Sequence, residues 1–302
     1  MGANLAWLFI GKVHLSGLHP LRGEAPAPEA FPGVPTLAKL DSIMEGVLRS
    51  DSGEIPRLLV AVKGNGRRNT HHANADQGSF TLAARGETLL IDPGYFEGSA
   101  DCHSLPLPAG ADAKAWNPTA PAPLGEAWEE GEVRTMTVDA SAAAKKLGMA
   151  RQRRIVALVG DRAAVLFDDL VPEGGRRRMQ TQFQCGFPVE VAAERRAARL
   201  KGAKGDLLLT LDAPGIRLDD APARKFVRDW VYLAKGRTWH PLHGEWECEA
   251  DVPCVAVLQP VASGAGGEPV SVERVEGRVT VRVGTTTLAF ARSAAGVWTL
   301  GR

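Results

Sequence analysis

The chain has 302 residues, 44% of them hydrophobic, with 36 Lys and Arg against 35 Asp and Glu. That length allows one large domain or two small ones, and the apolar content argues against a disordered chain. The even charge balance lacks the basic excess of nucleic-acid binders, so no nucleic-acid partner is expected, although a local basic patch for anionic sugars is compatible with it.

The first residues, MGANLAWLFIGKVHLSG, hold a short apolar stretch from Leu5 to Ile10 with no basic residue before it. It reads as neither a signal peptide nor a membrane span. Residues 20 to 35 are rich in Pro, Ala and Gly and read as a linker, so residues 1–33 are expected to form an arm and 34–302 one domain. Pro35 to Leu48 fits a helix or the start of a strand. Strand signals then dominate: Leu58 to Lys63, and the pair Ser79–Ala83 and Thr88–Asp92 around Arg85-Gly86-Glu87. Residues 104 to 131, Pro- and Ala-rich with Trp116 and Trp128, read as a long surface loop. Ala140 to Leu147 is a short helix or a turn. A clear hairpin follows, from Arg154–Val159 through Gly160-Asp161-Arg162 to Ala163–Asp168. Further strands are expected at Met179–Cys185, Pro188–Val191, Arg199-Leu200, Leu207–Leu211, Ile216–Leu218, Val270–Val275, Arg278–Val283 and Thr286–Ala291. Short strands at regular spacing predict an all-β fold, a large antiparallel β-sandwich behind a short N-terminal arm. The four cysteines (Cys102, Cys185, Cys248, Cys254) are too few for a disulfide scaffold and match no zinc-ribbon spacing. Cys248 and Cys254 either pair across a hairpin or stay buried as free thiols, the commoner state.

Polar side chains able to coordinate concentrate between His71 and His103. His72, Asn74 and Asp76 fall at i, i+2 and i+4, which in an extended backbone puts them on one face, with His71 on the other. Asp92 ends the next strand, and antiparallel pairing returns it to the same end of the sheet. His103 follows in the loop after Gly94. A carboxylate and imidazoles from separate strands suit a divalent metal, zinc before calcium. The same residues equally cap turns and bind backbone carbonyls.

The pattern His72-Ala-Asn74-Ala-Asp76-Gln-Gly-Ser-Phe80, then Gly86, then Leu90-Ile-Asp92-Pro-Gly94, resembles the signature of heparinase II/III-like polysaccharide lyases. Cys102-His103-Ser104-Leu105 sits where that family has a later histidine, and Arg154–Asp168 resembles its next hairpin. The resemblance runs from about Val34 to the C-terminus. It implies a substrate-lining role for His72 and metal ligation by Asp92 and His103. The third ligand position holds Asn74, a poor zinc ligand that offers a neutral oxygen or a hydrogen bond. His71 replaces it only if the backbone leaves a regular strand.

The resemblance further implies β-elimination on an acidic, uronic-acid-containing polysaccharide, with His72 and Asn74 neutralising the substrate carboxylate. In the family a Tyr, with further sugar contacts, comes from an N-terminal α/α toroid, which implies a separate toroid domain or subunit as partner. Tyr95 is the acid/base candidate here, since Tyr232 lies in an amphipathic strand where packing in the core or at the surface accounts for it. Trp239 and His240, in the run Trp239-His240-Pro-Leu-His243-Gly-Glu245-Trp246, are with His71 the remaining sugar-binding candidates. Family members are often periplasmic or secreted. The alternatives are a non-catalytic carbohydrate-binding or structural sandwich, and a metal-dependent hydrolase on an unrelated β-fold.

Overall fold

Pro35 to Leu48 is not helical: β1 (Leu37–Leu40) and β2 (Glu45–Arg49) pair antiparallel. The computed structural model describes residues 34–41, 44–66, 74–94, 98–225, 238–250 and 252–302. The arm expected over residues 1–33 lies outside the described residues, as do His71, His72, Tyr95 and Tyr232. The meander continues through β3 (Leu58–Lys63), β4 (Phe80–Ala84) and β5 (Glu87–Leu90). Arg85 and Gly86 join β4 to β5 with φ of 54° and 71°. Positive φ at both central residues matches the right-handed twist of the flanking strands.

The stretch 104–131 corrects the loop reading. It contains β6 (Pro106–Pro108) and β7 (Leu124–Glu130), and it buries Trp116 and Trp128. The Trp116 indole N–H donates to Gln77 Oε1 inside the protein. Two large buried rings hold this Pro-rich segment down, because burying an aromatic ring removes much apolar surface from water. The chain then forms β8 (Val133–Asp139) and one short helix, α1 (Ser141–Ala144). β9 (Met149–Val159) and β10 (Ala163–Pro172) make the expected hairpin at greater length.

Next come β11 (Arg176–Cys185), β12 (Val189–Val191), β13 (Ala197–Lys201), β14 (Asp206–Asp212), β15 (Arg217–Asp220) and β16 (Arg224–Lys225). The last strands are β17 (Thr238–Glu249), β18 (Cys254–Val261), β19 (Val270–Val275), β20 (Arg278–Val283), β21 (Thr286–Arg292) and β22 (Trp298–Leu300). Among the described residues they build three antiparallel sheets. The first runs β1-β2-β3-β4-β5-β11-β17-β15, with β6 on β11 and β16 on β17; the second runs β12-β13-β14-β18-β10-β9-β8-β7; the third runs β19-β20-β21-β22.

The fold is all-β, and the second sheet lies in its middle. Val156, Leu158, Leu166 and Leu258 pack into a core shared with Val60, Leu82, Phe183 and Leu242 of the first sheet. Their strand neighbours Ile155, Val165, Phe167 and Val257 face the opposite way, into a core with Val281, Phe290 and Trp298 of the third. Burial on both faces explains why these strands read as continuous apolar runs rather than alternating ones. All four cysteines are buried, and none forms a disulfide. Among the described residues, no helix is long and apolar enough to cross a membrane.

Phe167 stacks on Phe290 with ring centroids 4.1 Å apart and meets Trp298 at 5.5 Å. Phe167→Ala is expected to cost about 3–5 kcal/mol in chemical denaturation, the usual range for emptying an aromatic core site. A loss below about 1 kcal/mol would show that the third sheet is not seated on this core.

Candidate active site

Asn74 to Ser79 lead into β4 as a turn, with the Ser79 amide on Asp76 O and the Gly78 amide on Lys63 O. This corrects the extended-strand premise for Asn74 and Asp76, since the regular strand begins only at Phe80. Both side chains are half-buried, and Ala75 between them is buried. Gly78 has φ of 84°, a conformation that glycine adopts without strain, and its carbonyl faces the protein interior as a result.

Two residues past β5, Asp92 closes a local turn, its Oδ1 accepting from the Gly94 amide at 2.8 Å. Its Oδ2 lies 2.9 Å from His103 Nδ1. His103 follows a single 3-10 turn at Ala100–Cys102, and its side chain is 0% exposed while that of Asp92 is 25% exposed. An ionised carboxylate only accepts, so Nδ1 carries the hydrogen. Nε2 is buried and meets no hydrogen-bond partner among the described residues. Asn74 donates through Nδ2 to Gly94 O at 3.5 Å, a long contact that brings it beside Asp92. The structure thus gathers Asn74, Asp76, Asp92 and His103 at one end of the first sheet, where antiparallel pairing was expected to place them.

The charges there are coupled. Burial raises the Asp92 carboxyl, but His103 and the Gly94 amide more than offset it, and the group sits below the usual carboxylate range. Burial works against charge on His103 as well, yet Asp92, with smaller help from Asp76 and Asp101, raises it above an ordinary histidine. Asp76 is pushed up to about 6, chiefly by burial. His103 and Lys63 pull it down and Asp92 pushes it further up. Lys63 in turn pairs with Glu45 at 2.7 Å.

Among the described residues, no three His, Cys, Asp or Glu side chains converge on one point. Asp92 and His103 are bonded to each other, and Asn74 turns its amide N–H to a carbonyl.

The remaining candidates divide. Trp239 is 1% exposed and gives its indole N–H to Gln184 Oε1 at 2.9 Å. With its ring enclosed it has no face open for a sugar, which corrects its expected stacking role. His240 is half-buried on β17, opposite Cys185. Gln184 is what connects this strand to the site, since its Nε2 donates to His103 O at 3.2 Å.

One further residue escaped the sequence reading. Arg154, buried on β9, makes a two-point pair with Asp168 on β10, at 2.7 and 3.0 Å. Its Nη1 reaches Gly78 O and Ser104 O, each at 2.8 Å. The usable signal was a pair of opposite charges at facing ends of two apolar runs, because Arg154 and Asp168 sit in register on the hairpin.

The pH dependence of stability follows from Asp76. Its folded-state pKa of about 6 lies above the ordinary 3.8, so the folded protein holds this proton more tightly than the unfolded chain. The stability tied to that proton is present at low pH and is lost as pH rises through about 6. Asp76→Asn is therefore expected to raise Tm relative to wild type at pH 8, with the gain shrinking as pH falls toward about 4. A gain that stays constant with pH in calorimetry would contradict the assignment.

No protein-family model matches the sequence, and no curated protein sequence does. Solved structures do match in fold. A crystal structure of heparinase III superposes with a TM-score of 0.66 at 16% identity, covering 88% of this chain and 43% of that one. Heparan sulfate lyase HepC from Pedobacter heparinus gives 0.67 at 14% identity, covering 92% and 44%. The chain thus spans less than half the length of these lyases, and over most of its own length it has their fold.

Proposed function

We propose that this chain is the β-sandwich part of a polysaccharide lyase acting on a uronic-acid-containing polymer by β-elimination. The observation that carries the reading is the grouping of Asn74, Asp92 and His103 at one sheet end, within a fold shared with heparinase III. The reaction breaks the C5–H and C4–O bonds of the uronate and forms a C4=C5 double bond. The C5 proton goes to a base, and the departing glycosidic oxygen takes up a proton. The difficult step is the first, because negative charge builds on the carboxylate as the proton leaves.

In this reading Asn74 donates its remaining amide N–H to that carboxylate, and His72, two residues before it in sequence, is the second donor. The Asp92–His103 pair is close to neutral overall, so Asp92 offers no free carboxylate to repel the substrate. Tyr95 is the acid/base candidate, three residues past Asp92 in sequence. His71 and His240 are the remaining sugar contacts. A toroid, as a separate domain or subunit, adds further sugar contacts.

The test is ultraviolet absorbance of unsaturated product on a panel of uronate polymers. Wild type is expected to produce the signal, and Asn74→Ala and His72→Ala to lower kcat about 100-fold or more, as loss of a donor to developing charge does. Retained sugar binding with no product would replace the lyase with a carbohydrate-binding sandwich. Full activity in His72→Ala would remove that residue from the site.

A further inference from the structure

An arginine inside a β-sandwich needs a reason, because a well-packed apolar pair of similar volume is often as stable as a buried ion pair. Arg154 is 3% exposed and lies over the Phe80 ring, 5.3 Å from its centroid. Three of its nitrogens are committed. Nε and Nη2 hold the two oxygens of Asp168, which fixes the plane of the guanidinium. Nη1 then meets two carbonyls that belong to different segments of the first sheet's site end. Gly78 O lies two residues beyond Asp76, and Ser104 O follows His103 directly. The same two segments meet once more, through the Ser104 amide on Ser79 Oγ at 3.1 Å. Little space is left for adjustment: the cavity bordered by Gly78, Leu105, Arg154 and Asp168 is about 10 Å³.

We propose that Arg154 is a positioning residue for the Asn74–Asp92–His103 site. Held rigid by Asp168 on the central sheet, it sets the separation between the turn that carries Asn74 and Asp76 and the segment that carries His103. A lysine cannot substitute, since a single ammonium lacks the planar fork that spans a carboxylate and two carbonyls at once. Gln184 braces the same segment from the other side through His103 O. The effect on turnover rests on the lyase reading; the effect on local geometry does not.

Two variants test this. Arg154→Met/Asp168→Leu removes both charges together, and Arg154→Lys keeps a charge for Asp168 but loses the fork. In hydrogen exchange, both are expected to speed the Ser79 and Ser104 amides about tenfold or more, while amides in the middle of β9 and β10 keep wild-type rates. In the lyase assay, both are expected to lower kcat about 100-fold with KM within about twofold, as misplacement of reacting groups does. Unchanged exchange at Ser79 and Ser104, or acceleration spread evenly through the sheets, would overturn the proposal. So would raised KM at constant kcat. If wild type yields no product on any uronate polymer, the lyase reading fails, and the exchange rates alone decide the role of Arg154.

Discussion

The arrangement at the site depends on one buried ion pair. Arg154 and Asp168 face each other across the β9–β10 hairpin, in a sheet covered on both sides by other sheets. An unpaired charge there is intolerable, so the two side chains fix each other. The guanidinium has donors left over, and they reach the backbone of two loops that no strand pairing would otherwise hold together. A constraint in the most deeply packed part of the fold is thereby carried to its polar end. The loops bearing Asn74 and His103 are irregular in secondary structure but not loosely held.

Electrostatics at that end follow from the same enclosure. His103 is fully buried and would lose its charge without Asp92; Asp92 in turn would be raised by burial without His103. Each holds the other in its charged form, so the pair adds little net charge to the site. Asp76 stands just outside this compensation and is pushed up to about 6. The Asp76 carboxyl therefore sheds its negative charge in mildly acidic solution, while the buried His103 is held toward its charged form.

Much of the scaffold was legible in the sequence. The runs Arg154–Val159 and Ala163–Asp168 predicted their hairpin because apolar stretches separated by Gly-Asp allow little else. What such runs cannot state is which residue faces which neighbour, so the third sheet's cover over Phe167 was invisible until Phe290 and Trp298 were seen against it. The stretch 104–131 misled because its Pro and Ala content outweighs two tryptophans in composition, whereas in packing the tryptophans dominate. At the site, the order of Asn74, Asp92 and His103 along a hairpin was enough to bring them together on paper. Arg154 was not found, since its partners are backbone carbonyls, and a carbonyl leaves no trace in residue identity. Trp239 failed for the opposite reason: its identity suggests stacking, but its place on β17 encloses it against Gln184.

In the proposed reading, an acidic sugar binds at the end of the first sheet marked by Asn74, Asp92 and His103. Chemical-shift mapping of the full chain with a uronate oligosaccharide tests it without requiring turnover. The predicted result is perturbation centred on the amides of Asn74, Asp92, Gly94 and His103, fading along β4 and β5. Perturbation centred on β19–β22, with these four amides unmoved, would contradict it.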